Sequence, residues 1–175
     1  MIDSSFGENE YKQIHGGGEK ITEFENKSFD MIFCHNVLEY IENKEPIIAE
    51  LLRVLKPSGI LSIVKHNRVG RVWGTAVFKN DPKKALVLLD ENANDNHIYL
   101  GTQYIYSNDY ISALAEENGG KVKAIYGMRA FYALGQDNSV KYTAEWYVNM
   151  LALENAVASI DDYKNAAFHN QNKPP

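Results

Sequence analysis

The chain has 175 residues, 45% hydrophobic and 23% charged, with a formal net charge of −5; that length suits a single domain, residues 1–175, able to bury a core. One cysteine, Cys34, excludes an internal disulfide framework, and no apolar run approaches the ~20 residues of a membrane span. With no basic-then-apolar signal at its start and an acidic balance that argues against a surface coated for nucleic acid, the expectation is a cytoplasmic protein without a membrane partner.

Residues 1–5 are short and polar. Residues 11–15 have the length of a strand and run into Gly16-Gly17-Gly18-Glu19, where glycine permits either close backbone approach to a ligand or a tight turn. Residues 29–34 are apolar apart from Asp30 at the entry, which predicts a strand buried on both faces. His35, Asn36 and Glu39 gather at its far end. Pro46 suits the first turn of a helix, and Ile47, Ile48, Leu51, Leu52 and Leu55 follow at helical spacing as one apolar stripe. Lys56-Pro57-Ser58-Gly59 stops that helix and turns the chain. Residues 60–64 form a second apolar strand, with Lys65, His66 and Asn67 beyond it. Two such strands joined by a helix make a βαβ unit, whose crossover sets them parallel. In open α/β sheets ligands bind outside the carboxyl ends of the strands. His35, Asn36, His66 and Asn67 all lie on that edge, so the chemistry is expected there. Cys34, inside an apolar run, reads as a core thiol.

Residues 68–78 have the pattern of an amphipathic helix carrying Arg68 and Arg71. With Lys65, His66, Lys79, Lys83 and Lys84 they form the one basic region, residues 65–84. This is either a solvated helix face or a phosphate contact. Residues 85–89 are apolar, and 90–96 form a polar loop expected to be mobile. Tyr99, Tyr104 and Tyr106 are a lid or packing. Ser107 or Asn108 caps a helix over 109–118, ended by Gly119-Gly120, and 121–126 alternates as a half-buried strand. Arg129, amid apolar and aromatic residues, needs a partner, either a structural carboxylate or a substrate anion. Residues 140–157 read as one long helix, and 166–169 as a weak last strand. The five histidines show no metal-ligand spacing, so no metal is expected.

The segment FDMIFCHNVLEYI, followed by a helix ending in RVLKPSGILSI, resembles the fourth and fifth strand motifs of class I S-adenosylmethionine-dependent methyltransferases. The resemblance implies an α/β fold, a Rossmann-like sheet with helices on both faces, and S-adenosyl-L-methionine as cofactor. It places Gly17, Gly18 and Glu19 in the loop that holds the adenine, with Gly17 where an acidic residue is usual. His35 and Asn36 then lie beside the methionine or ribose part. The family's first glycine-rich motif and the acidic residue ending its second strand are absent. The chain therefore reads as the C-terminal two-thirds of the fold, lacking the first strands, and a second copy or a partner chain could complete the unpaired edge.

FCHNVLEYI, SIVKHN and GMRAF, in that order, further resemble the tRNA 5-carboxymethoxyuridine methyltransferase family. This implies methylation of a carboxylate on a modified wobble uridine, with Arg129 as the carboxylate's partner, His66 and Asn67 at the acceptor, and tRNA on the basic segment 65–84. Transfer to an already ionised carboxylate needs alignment more than a base, so no catalytic residue is assigned. A small-molecule methyltransferase and a catalytically inactive, methyltransferase-like interaction domain are the alternatives.

Overall fold

A strand, a helix and a second strand form the centre of the molecule, as their patterns predict. The computed structural model describes residues 13–90, 95–97, 101–135 and 137–173. Strand β1 (Phe29–His35), helix α1 (Glu45–Val54) and strand β2 (Leu55–His66) make a parallel βαβ unit. Pro46 sits in the first turn of α1, which buries Ile48, Leu51 and Val54. The chain passes from α1 into β2 without a separate turn. Leu55 pairs with Phe29, and the next pair is Ile60 with Met31, so Lys56-Pro57-Ser58-Gly59 is a bulge inside the ladder. Gly59 is needed there, because a Cβ would lie 2.9 Å from the Asp30 carbonyl oxygen.

The main sheet has the order β1-β2-β6-β5, with β6 (His169–Lys173) antiparallel to both β2 and β5 (Ala124–Met128). The sequence predicts a weak strand over 166–169. Instead, Asp161–Ala166 is a short helix, α6, and the polar run after it is inserted in mid-sheet. Its inward side chains, Asn170 and Asn172, are fully buried. The Asn170 amide donates to the Lys164 carbonyl at 3.0 Å. Between β2 and β5 lie α2 (Arg68–Trp73), continued by a wide turn over Gly74–Phe78, α3 (Pro82–Val87), the small pair β3 (Asp95–His97) and β4 (Gly101–Gln103), and α4 (Asn108–Glu117). The predicted strand at 121–126 is displaced to Ala124–Met128. The single helix at 140–157 is a one-turn helix over Val140–Tyr142 followed by α5 (Ala144–Val157).

The core lies on one side of the sheet. Cys34, Leu61 and Ile63 meet Ile48 and Leu51 of α1 and Ile111 and Leu114 of α4. On the other side α5 stands over β5 and β6 across a cleft of about 480 Å³. Strand β1 is not buried on both faces, contrary to its apolar pattern. It is an edge strand, paired among the described residues only with β2, and Met31 and Phe33 are 49% and 65% exposed. The strand expected at 11–15 lies partly outside the described residues, and 13–15 carry no strand. Residues 91–94 of the polar loop, and Tyr99, also lie outside them. Among the described residues no helix is long and apolar enough to cross a membrane.

Candidate active site at the carboxyl edge of the sheet

Strands β1 and β2 end side by side. His35 is in register with Val64, and the Asn36 N–H donates to the Val64 carbonyl at 2.8 Å. Asn36 has φ +53°, a left-handed conformation that asparagine tolerates better than most residues, and there the chain leaves the sheet. The exposed His35 ring places Nε2 2.9 Å from Ser62 Oγ, which also accepts a hydrogen bond from Gln171 at 2.8 Å.

The tight turn Leu38–Tyr40 carries Glu39 back under the end of β2. Glu39 is 3% exposed, and its Oε1 accepts hydrogen bonds from both the backbone N–H and Nδ1 of His66, each at 2.9 Å. Burial pushes the Glu39 carboxyl up, but the hydrogen bonds from the His66 side chain and backbone outweigh it and hold the group below its ordinary value. An ionised carboxylate can only accept, so Nδ1 of His66 carries the hydrogen of this bond, and Nε2 is the ring nitrogen turned away from Glu39. The His66 ring lies against His169, with centroids 4.6 Å apart and the planes tilted by 42°. Burial, then the neighbouring charges of His66 and Arg129, push His169 down to about 4 against the pull of Glu39, so that ring is neutral at neutral pH. An imidazole aligned by a buried carboxylate is the arrangement of a general base.

The sequence reading gathered Glu39 only as one more polar residue after β1. The available signal was a lone acid inside the apolar run Val37-Leu38-Glu39-Tyr40-Ile41, where a charge needs a buried partner.

The other candidates are dispersed. Asn67 is buried, and its Nδ2 donates to the carbonyls of Asn165 and Ala167 at 2.7 and 2.8 Å; both amide hydrogens hold the junction of α6 and β6. Arg129 follows β5 with φ +60°. It is exposed rather than enclosed, and its guanidinium lies 5.6 Å from the centroid of the Tyr132 ring. Glu154, which lines the same cleft, accepts the N–H groups of Ala130, Phe131 and Tyr132 at 2.7–2.9 Å. The Gly17–Glu19 loop leans on α1. A Cβ on Gly18 would lie 2.4 Å from Ile47 Cδ1, so Gly18 serves that packing. The Gly17 N–H donates to Glu19 Oε1 at 2.8 Å, and backbone hydrogen bonds, chiefly this one, lower the Glu19 carboxyl.

The basic segment is not one continuous surface. Lys65 turns inward, Arg68 donates to the Asp90 carbonyl and Arg71 to Gln103, while Lys79 and Lys83 are exposed. Cys34 is in the core as expected. Burial, aided by Glu39, pushes its thiol up to about 11.

Residues 3–63 match the methyltransferase-domain family. A ubiquinone biosynthesis O-methyltransferase of Rickettsia typhi is 26% identical over 146 residues, covering 80% of this chain and 56% of its own length. The protein of the same description from Rickettsia canadensis is 35% identical over 48 residues, 27% of this chain and 20% of its own. The chain thus spans little more than half the length of the longer-matching of these relatives. Among solved structures, a SAM-dependent methyltransferase from Archaeoglobus fulgidus superposes with a TM-score of 0.54 at 12% identity, over 97% of this chain and 69% of that one. With its helix-flanked α/β sheet and the family match over its first third, the chain has the fold of the S-adenosylmethionine-dependent methyltransferases.

Proposed function

We propose that the chain is the catalytic part of an S-adenosylmethionine-dependent O-methyltransferase, in which His66 removes the proton of a hydroxyl acceptor. The observation that carries this reading is the Glu39–His66 pair at the carboxyl end of β2. The matched relatives, described as O-methyltransferases of ubiquinone biosynthesis, support the same class of acceptor. A phenolic hydroxyl, with a pKa of about 10, is within reach of an imidazole base.

His35 and Asn36 fit the cofactor, being exposed polar groups where β1 ends. Gly17, Gly18 and Glu19 would form the adenine side, where Glu19 gives up its bond to the Gly17 N–H to meet an adenine amino group. Bound S-adenosyl-L-methionine supplies an electrophilic methyl group. The chain's own residues hold the acceptor and move its proton. His66 Nε2 takes the proton, and Glu39 stabilises the imidazolium that results. The neutral His169 ring packs beside it without adding a competing charge. Tyr126, Met128, Tyr147 and Leu151 line the cleft under α5 and would exclude water from the acceptor's apolar body.

A second reading, methylation of a carboxylate on a modified tRNA wobble uridine, draws on Arg129, exposed at the rim of that cleft. One experiment separates the two. S-adenosylhomocysteine binding is measured by calorimetry, and methyl transfer to a catechol is followed in wild type and His66→Ala. The base role predicts a kcat roughly 10²- to 10⁴-fold lower with cofactor affinity unchanged. An acceptor that is already ionised would be indifferent to the substitution, so an unchanged kcat removes His66 from the chemistry. A folded chain that binds no S-adenosylhomocysteine would be a methyltransferase-like interaction domain.

A further inference from the structure

A second cavity, of about 610 Å³, lies between the end of β2, the start of α2 and the start of α4. Lys65 precedes His66 on β2, so its side chain leaves the opposite face of the strand, and the cavity is on that side. Lys44, Lys65 and Arg68 line it against a single acid, Asp109. Lys44 and Lys65 are each only 3% exposed. Lys44 Nζ donates to the Ile41 carbonyl at 2.7 Å and lies over the rings of Tyr104 and Tyr106. Lys65 Nζ has one long bond, 3.4 Å, to the His66 carbonyl, and lies 5.4 Å from the Tyr106 centroid. Among the described residues neither ammonium forms an ion pair. Glu39, the carboxylate that acts on both electrostatically, gives Oε1 to His66, and its Oε2 makes no hydrogen bond to either ammonium.

Burying ammonium groups without a counter-ion is costly. Burial pushes Lys65 down to about 8, which still leaves it charged at neutral pH. Two further polar atoms are stranded at the same place. The hydroxyl of Tyr106, a residue 8% exposed, and Oδ1 of Asn108 are buried without a hydrogen-bond partner, and both residues line the cavity. The ten-residue helix α4 begins here, its Ser107 cap accepting the Tyr110 N–H at 3.0 Å. Its other first-turn N–H groups have no intrahelical acceptor, and that end of a helix favours anions.

We infer that this cavity binds the phosphate group of a small molecule, held by Lys44, Lys65, Arg68 and the start of α4. The lining carries three cations and one acid, an excess of positive charge that suits a phosphate group. The Tyr106 hydroxyl is the neutral donor that completes the shell. Lys65, buried as it is, is out of reach of a folded RNA's backbone, so the inward half of the basic segment serves a small ligand. The inference does not depend on the methyl-transfer reading.

The test is calorimetric titration of the full chain with inorganic pyrophosphate in about 0.1 M salt, alongside Lys44→Met, Lys65→Met, Asp109→Asn and the double variant Lys79→Ala/Lys83→Ala. The expected result is saturable one-to-one binding, weakened roughly tenfold or more by either methionine, in line with the loss of a charge-assisted hydrogen bond. Asp109→Asn, at an exposed position, should tighten it several-fold. Methionine keeps the buried stem and removes the buried charge, and the melting temperature of each variant confirms that it folds. Three outcomes would overturn the assignment. They are no saturable binding by the folded wild type, affinity unmoved by all three cavity variants, or affinity lost on replacing Lys79 and Lys83 instead, which would put the phosphate on the outer surface.

Discussion

At the scale of single residues, the site depends on which groups carry charge. Glu39 stays ionised although buried, because the His66 side chain and backbone both donate to it. His169 stays neutral because burial disfavours its charge and both His66 and Arg129 repel it. That second effect has a measurable consequence. The folded pKa, about 4, lies below the value of 6.5 for a free histidine. The unfolded chain therefore binds more protons between those values, and stability is lost as pH falls through that window. We expect His169 to account for up to about 3 kcal/mol of that loss. Urea denaturation of His169→Gln between pH 6.5 and 4 should show a flatter pH dependence than wild type. An equal slope would mean that His169 is protonated in the native state. Cys34 was legible from its apolar neighbours alone. For Glu39 the apolar neighbours signal burial, but its partner is 27 residues away, and a pairing at that separation leaves no local pattern.

At the scale of elements, α2 shows how closely the backbone segments are packed. Gly70 presses on the chain before β6, where an added Cβ would meet Phe168 Cα at 2.5 Å and the Ala167 carbonyl oxygen at 2.8 Å. Helix propensity alone favours alanine over glycine by about 1 kcal/mol. The tertiary contact should reverse that sign, with Gly70→Ala destabilising by roughly 1–3 kcal/mol. Equal or greater stability in chemical denaturation would show that α2 does not sit against this segment. The same junction explains why β6 escaped the sequence reading. His169-Asn170-Gln171-Asn172-Lys173 has no apolar residue to mark a strand, yet its backbone closes ladders on both sides. Two of its amides are partnered, Asn170 with the Lys164 carbonyl and Gln171 with Ser62 across the sheet, while the Asn172 amide is buried without a hydrogen-bond partner among the described residues.

At the scale of the whole molecule, one side of the sheet is packed by α1 and α4, while the other is open over β1. Phe33 is 65% exposed there, so Phe33→Lys should change stability by no more than about 0.5 kcal/mol, as for other surface sites. A loss well above 1 kcal/mol, measured across a range of protein concentrations, would show that the face is covered in solution. The apolar character of β1 suggested burial on both faces because hydropathy reports what a strand tolerates. Whether a neighbour covers that strand depends on the rest of the sheet. Helix α5 shows the same separation, with Tyr147, Val148 and Leu151 about half exposed.

The sequence by itself determined the βαβ unit, its parallel strands and the edge on which polar side chains collect. Those follow from periodicities of two and 3.6 residues, which are local, whereas the expected turn at Lys56-Pro57-Ser58-Gly59 is a bulge inside β2. It also placed His35 and His66 on that edge, since His35 follows directly on one apolar run and His66 lies one residue beyond the other. Tertiary structure decided that Glu39 aligns His66, that Lys65 faces a cavity rather than solvent, and that a polar strand runs through the middle of the sheet. Each of these joins residues far apart in the chain through hydrogen bonds or burial, and such pairings exist only once the sheet has closed.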